Sequence, residues 1–181
     1  MDWFTRRPDD EVRPTRGNGR PSVSAITDSL LVGGYPRISD IEWLKQEFRI
    51  SAIHNLQDDE DLRINGIDVI RLREACRLHQ IKLVRTPIRD GSSDDMAARL
   101  GDALQHLEDL LGVGARVYLH CNAGLNRAPT LAIAWLRAYA GMSLDEAMVH
   151  VKKRRACGPF MTVLEAHFGP RHQKPGSQEH I

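Results

Sequence analysis

One stretch constrains this chain more than any other: His120-Cys121-Asn122-Ala123-Gly124-Leu125-Asn126-Arg127. A short apolar run, Val117-Tyr-Leu119, precedes it, and a helical pattern running to Tyr139 starts near Arg127. The stretch therefore joins a buried strand to a helix N-terminus. Backbone N–H groups are unpaired there and the helix dipole is positive, which suits an anion. A helix N-terminus and a guanidinium together favour the thiolate form of Cys121. The N–H groups from Asn122 through Ala123, Gly124, Leu125 and Asn126 to Arg127 can form an anion nest. Gly124 allows the backbone to curl, and Arg127 offers a planar fork for two oxygens of one tetrahedral oxyanion. His120 sits just behind the thiol as a support. A lone cysteine at a strand end is usually a packing residue. His-Cys-x5-Arg between strand and helix changes that reading to a nucleophile beneath a bound phosphate.

The surrounding pattern alternates strands and helices. Ile26, Leu30, Leu31 and Val32 mark a first strand or hairpin closed by Gly33-Gly34. Ser39 to Glu42 reads as a capping box before a helix carrying Ile41, Leu44 and Phe48. Residues 50–56 read as a buried strand running into a polar loop, Gln57 to Asp61. Residues 71–79 read as a short helix, and 81–86 as a strand stopped by Pro87. Met96, Leu100, Ala103, Leu104, Leu107 and Leu111 form one face of an amphipathic helix. Ser143 to Glu146 is a second capping box, and Pro159 precedes a last helix with Val163, Leu164 and Phe168. This order predicts an α/β fold, with a twisted, mostly parallel sheet of about five strands and helices on both faces. Such sheets bind ligands beyond the carboxyl ends of their strands, where the cysteine loop sits.

A leaving oxygen needs a proton, and an acid at the same sheet edge can supply it. Asp90, in the polar loop Ile88 to Asp95, is the favoured donor; Asp94 and Asp95 compete but also suit the start of the next helix. Phe160 is the aromatic expected to reach substrate. Arg85, Arg89, Lys152, Lys153, Arg154 and Arg155 either ring the site or form a solvated face.

The net charge of +1 provides no global field for nucleic acid, and no apolar run approaches a membrane span. Residues 1–22, rich in Arg, Asp, Pro and Gly, read as a flexible arm in which Trp3 and Phe4 are candidate anchors. The ordered domain is expected over residues 23–168, with a frayed polar tail at 169–181. Neither a signal sequence nor a membrane span is visible, and the expected location is the cytoplasm. Cys76, Cys121 and Cys157 are odd in number and lack metal-ligand spacing, so free thiols are expected and no cofactor or metal is implied.

The constellation resembles the cysteine-dependent dual-specificity phosphatases of the protein-tyrosine-phosphatase superfamily, over roughly Ser24 to Phe168. Within that family it is most similar to the glucan phosphatases of the laforin and plant starch phosphatase type. Ile26 to Gly33, Asp40 to Glu47, Asn55-Leu-Gln57, Gly66 to Asp68, Cys121 to Gly124, Arg127-Ala-Pro129 and Cys157-Gly-Pro159 carry that similarity. The resemblance implies Cys121 as nucleophile, Arg127 as phosphate clamp, Asp90 as general acid, a phosphocysteine intermediate and no metal. It implies a phosphorylated glucan or a phosphoprotein as substrate. The alternatives are an inositol or lipid phosphate, or a phosphate-binding module without turnover. The chain departs from the glucan pattern in three ways. The segment from Gln57 to Gly66 has no aromatic residue, Asn126 replaces a glycine, and Ala128 stands where many relatives carry a hydroxyl.

Overall fold

The computed structural model describes residues 19–176; Trp3 and Phe4 lie outside them. The chain opens with a hairpin, β1 (Val23–Ala25) and β2 (Leu30–Gly33), then α1 (Ile41–Phe48), β3 (Ala52–Asn55), α2 (Asp59–Ile64) and α3 (Val69–Leu78). There follow β4 (Lys82–Arg85), α4 (Ser93–Leu111), β5 (Val117–His120), α5 (Arg127–Tyr139), α6 (Leu144–Lys152) and α7 (Met161–Phe168). The five strands form one sheet in the order β1-β2-β5-β3-β4. Only the β1–β2 pair is antiparallel; β2, β5, β3 and β4 run parallel to their neighbours.

The central strands β2, β5 and β3 are buried on both faces, and their side chains alternate between two apolar layers. Leu30 and Val32 of β2, Ala52 of β3, and Val117 and Leu119 of β5 pack against α4, α5, α6 and α7. Leu31, Ile53 and Tyr118 point the other way, against α1 and α3 through Ile41, Leu44, Leu72 and Cys76. Helix α5 lies in the thicker layer, with ten of its residues buried, as its nearly all-apolar sequence predicts. Because β2, β5, β3 and β4 are parallel, the segments leaving Gly33, His120, Asn55 and Arg85 all emerge at one edge. Those are the segments that build the site.

Local caps account for several element boundaries. Ser143 and Glu146 form the expected box at α6: Ser143 Oγ accepts from Glu146 N–H at 3.2 Å, and Glu146 accepts from Ser143 N–H at 2.8 Å. The box expected at Ser39 and Glu42 does not form. A single 3-10 turn, Ile38–Asp40, leads into α1 instead, and Asp40 Oδ2 accepts from Arg37 N–H at 2.7 Å. The segment read as a polar loop after β3 contains α2. Asp58 caps it by accepting from Asp61 N–H at 2.8 Å, while Asp61 Oδ2 accepts from Asp58 N–H at 3.1 Å. Asp68 opens α3 two residues earlier than the apolar spacing suggests.

Residues 169–176, the described part of the tail expected to fray, return onto the domain. Arg171 pairs with Glu165 at 2.5 Å, and the Arg171 carbonyl accepts from Asp145 N–H at 3.1 Å.

Candidate active site

The loop from Cys121 to Asn126 bridges β5 and α5. Its six carbonyls are all occupied by donors. Cys121 O faces His120 Nδ1 at 3.1 Å, and Asn122 O accepts from Tyr35 N–H at 2.8 Å. Ala123 O and Gly124 O accept from Arg155, at 2.8 Å from Nη2 and 2.5 Å from Nε. Leu125 O accepts from Gly158 N–H at 2.8 Å. Asn126 O accepts from Thr130, at 2.9 Å from the backbone N–H and 2.7 Å from Oγ1. No cis peptide occurs among the described residues, and in a trans peptide the C=O and the following N–H point in opposite directions. With every carbonyl tied to the outer frame, the N–H groups of residues 122–127 turn toward the hollow that Cys121 and Arg127 enclose. N–H groups so directed can form an anion nest.

Gly124 is the tightest point of the curl. Its φ is +69°, and a Cβ there would lie 2.4 Å from Gly33 O and 2.5 Å from Arg155 Nη2. Glycine alone has both the conformational freedom and the room. Asn126 does not project into the hollow: its Nδ2 donates to Gly158 O at 2.7 Å, fastening the loop to the segment before α7. Thr130 is likewise committed, to Asn126 O and to Phe160 N–H at 2.9 Å, so its hydroxyl does not stand in for the one missing at Ala128.

His120 is fully buried, and burial holds its imidazole down at about 4; the hydrogen bond to Cys121 O opposes this and the Arg127 charge adds to it. It is a neutral ring that supports the loop from behind and stacks on Tyr118.

Arg127 is fully buried and held on one side. Nη1 donates to Asp61 Oδ2 at 2.6 Å and to Ile88 O at 2.7 Å, and lies 3.5 Å from Leu56 O. Nη2 is ion-paired with Asp90 Oδ1 at 2.8 Å, and Nε has no hydrogen-bond partner among the described residues. Burial disfavours the guanidinium charge, but Cys121, Asp61 and Asp90 more than offset it and leave the group above its ordinary value. Nε is thus left without a protein partner, and Nη2 on the same edge is held only by Asp90.

Asp90 reaches the site as expected. Its side chain is half exposed, touching Arg127 on one oxygen and Asn122 Nδ2 at 3.3 Å on the other. The competing acids are elsewhere: Asp95 accepts from Arg89 N–H at 2.6 Å, and Asp94 is exposed in the first turn of α4. Phe160 is the N-cap of α7 and is part-buried against the apolar cluster that includes Cys121, while Gly158 N–H donates to Leu125 O of the loop.

Asp61 joins the site although the sequence reading did not assign it there, and Arg155 takes a place that reading left open. Asp61, expected in a solvated loop, is buried against Arg127 and Asn122, with Oδ1 accepting from Asn122 Nδ2 at 2.5 Å. Asn122 Oδ1 in turn accepts from Gln57 Nε2 at 2.7 Å and Asn65 Nδ2 at 3.1 Å. The box of Asp58 and Asp61 was the available signal for α2, since it turns Asp61 inward. Arg155, expected either to ring the site or to lie on a solvated face, is wholly buried behind the loop. Of the others, Arg85 pairs with Asp59 at 2.6 Å and donates to Gln57 O at 3.0 Å. All three cysteines are free thiols, and no group of three potential metal ligands occurs among the described residues.

Residues 30–164 match the family model of the dual specificity phosphatase catalytic domain. The chain belongs to the dual-specificity phosphatase family. Among curated relatives of this family, the amyloplastic phosphoglucan phosphatase DSP4 of Castanea sativa is 29% identical over 144 residues, covering 78% of this chain and 38% of its own length. The dual specificity protein phosphatase Mpk3 of Drosophila melanogaster is 36% identical over 102 residues, covering 54% of this chain and 25% of its own length. The chain thus spans well under half the length of these relatives. In fold it is similar to the crystal structure of Tk-PTP in the active form, with a TM-score of 0.68 and 23% identity over 81% of this chain and 95% of that one. The α/β fold of the family is the one expected from the alternating pattern. No helix among the described residues is long and apolar enough to cross a membrane.

Proposed function

We propose that this chain hydrolyses phosphate monoesters through a phosphocysteine. One observation carries the reading: all six consecutive carbonyls of the loop are taken by donors, beside a buried arginine whose Nε has no hydrogen-bond partner among the described residues. The substrate phosphate rests on the N–H groups of residues 122–127 and on Nε and Nη2 of Arg127, above Cys121. The Cys121 thiolate attacks phosphorus, an S–P bond forms, and the ester P–O bond breaks. The leaving oxygen takes its proton from Asp90. Water then attacks the phosphocysteine and gives a proton to Asp90. The S–P bond breaks, returning the thiolate and releasing inorganic phosphate. Donors fixed around the equatorial oxygens act on charge developed in the transition state.

Asp90 pairs with Arg127 Nη2 at 2.8 Å and has to leave it to reach the leaving oxygen. Incoming phosphate offers the guanidinium a better partner and releases the carboxyl toward the leaving group. Asn122 keeps it within reach.

As substrate we favour a phosphoglucan. The phosphoglucan phosphatases DSP4 and LSF1 align over 78% and 75% of this chain, against 54% for Mpk3. A phosphoprotein is the second reading, supported by that shorter but more identical match. Three free thiols suit a reducing compartment, and we place the protein in the cytoplasm on that ground.

Two assays test the proposal. Hydrolysis of p-nitrophenyl phosphate should vanish in Cys121→Ser; tight phosphate binding with no turnover by the unaltered protein would instead mean a binding module. Phosphate release from phosphorylated amylopectin, phosphopeptides and inositol phosphates, compared under identical conditions, separates the substrates. Release from phosphopeptides alone would overturn the glucan reading.

A further inference from the structure

Two arginines among the described residues are wholly buried, and they differ in one respect. Arg127 faces two carboxylates. Arg155 has none among the described residues. Its five hydrogen bonds all end on neutral oxygens: Ala123 O, Gly124 O, Val32 O at 3.3 Å, Ser24 Oγ at 3.3 Å and Ser22 Oγ at 3.1 Å. A buried cation is costly unless paired, and a fold that only needed to fill this space would use an apolar side chain. Burial depresses the Arg155 guanidinium from its ordinary value, and the groups that pull it back are Tyr118, Cys121 and Cys157. Arginine nevertheless remains charged in proteins.

The position of this charge explains its use. Two of the six outward carbonyls of the cysteine loop, at its tightest point, end on Arg155. No other residue takes two of them. The remaining three bonds anchor the guanidinium to β2 and to the serines flanking and within β1, so the loop is tied to the sheet edge through one planar group. The fork geometry suits this: Nε and Nη2 reach adjacent carbonyls while Nη1 turns to Val32 and Ser24. Lysine has the charge but not the fork. The absence of Cβ at Gly124 is what lets Nη2 approach.

We infer that Arg155 is a positioning residue and the second cation of the anion site: it holds the Ala123 and Gly124 peptides with their N–H groups inward, and its unpaired charge is balanced by the thiolate and the bound phosphate. The inference rests on the phosphatase reading for its catalytic consequence, but not for its effect on phosphate binding. Charge balance is the reason no carboxylate accompanies Arg155. An acid there would cancel the field that the anions require.

The test uses the full chain with Arg155→Met, which keeps length and removes charge, and Arg155→Lys, which keeps charge and removes the fork. Three quantities are read: the cooperative melt, the affinity for inorganic phosphate by calorimetry, and the pH dependence of Cys121 alkylation by iodoacetamide. Arg155→Met should weaken phosphate binding about tenfold or more, the loss of charge-supported bonds, and move the alkylation midpoint to higher pH. Arg155→Lys should weaken phosphate binding by a smaller factor while leaving the alkylation midpoint near that of the unaltered protein. A folded Arg155→Met protein that binds phosphate within twofold and keeps its alkylation profile overturns the inference; a purely structural role would lower the melt without moving either. If Arg155→Met does not fold, Arg155→Lys decides, and unchanged phosphate affinity there refutes the claim that the fork positions the loop. Weakened phosphate binding in a protein that never hydrolyses p-nitrophenyl phosphate would sink the phosphatase reading and leave this one standing.

Discussion

Replacing Asp61 by asparagine removes one charge and almost no volume, yet three donors converge on this carboxylate: Arg127 Nη1 at 2.6 Å, Asn122 Nδ2 at 2.5 Å and Asp58 N–H at 3.1 Å. An amide offers one acceptor oxygen where the carboxylate offers two. Whichever way the new amide turns, its NH2 group faces a donor. Flipping Asn122 to accommodate it only moves the conflict outward, because Asn122 Oδ1 already accepts from Gln57 and Asn65. Arg127 meanwhile loses its buried partner and keeps only the half-exposed Asp90. Breaking a buried ion pair from one side costs about 3–5 kcal/mol. The surviving hydrogen bond and Asp90 pull the expected loss toward about 3 kcal/mol, measured as the urea unfolding free energy.

The same change frees the guanidinium to rotate, so kcat/KM on p-nitrophenyl phosphate should fall by roughly a hundredfold, the scale of a misplaced catalytic group. Inorganic phosphate supplies the missing negative charge. At about 100 times its Kd it adds about 2.7 kcal/mol to any folded protein that binds it, so the variant should recover most of its lost stability in phosphate. If Asp61→Asn unfolds within about 0.5 kcal/mol of the unaltered protein, a margin typical of surface substitutions, and keeps its kcat/KM, then Asp61 does not orient Arg127.

Asp90→Asn should lower kcat by roughly 10²–10⁴, the range for a general acid, while phosphate binds as well as before or better, because a competing carboxylate has left Arg127; competitive inhibition by phosphate reads the second effect. Gly124→Ala forces a side chain into φ +69° against Gly33 O, and should cost at least about 1–3 kcal/mol in backbone strain alone and abolish turnover; a melt and a p-nitrophenyl phosphate assay check both. Acid should destabilise the protein early. His54 and His120 are held at about 3 and about 4 by burial, against an ordinary 6.5. Their native values lie below the unfolded ones, so the unfolded chain takes up protons first as pH falls below about 6.5. Their contribution is intact above that pH and is lost toward 4 and then 3, at up to about 1.4 kcal/mol per histidine per pH unit. Urea midpoints at pH 7, 5.5 and 4.5 would show it, and a flat profile over that window refutes it.

The sequence by itself determined what depends on near neighbours along the chain. Alternating strands and helices, the mostly apolar α5, the box at Ser143 and Glu146, and the Cys121-to-Arg127 loop are contained in windows of a few to some twenty residues. Within such windows periodicity, capping and peptide geometry operate directly. Asp90 was legible too, because a loop leaving a parallel strand must emerge at the site's edge. The tertiary structure decided the partners. Asp61 is 66 residues from Arg127, and they meet only because β5 inserts between β2 and β3. Arg155 looked like one of four successive basic residues, and only the return of the chain after α6 places it under Gly124. A hydrogen bond or an ion pair depends on distances of a few tenths of an ångström between groups the chain brings together from afar. Local pattern carries the periodicity that forms the elements, but not the strand order that decides which charges face one another.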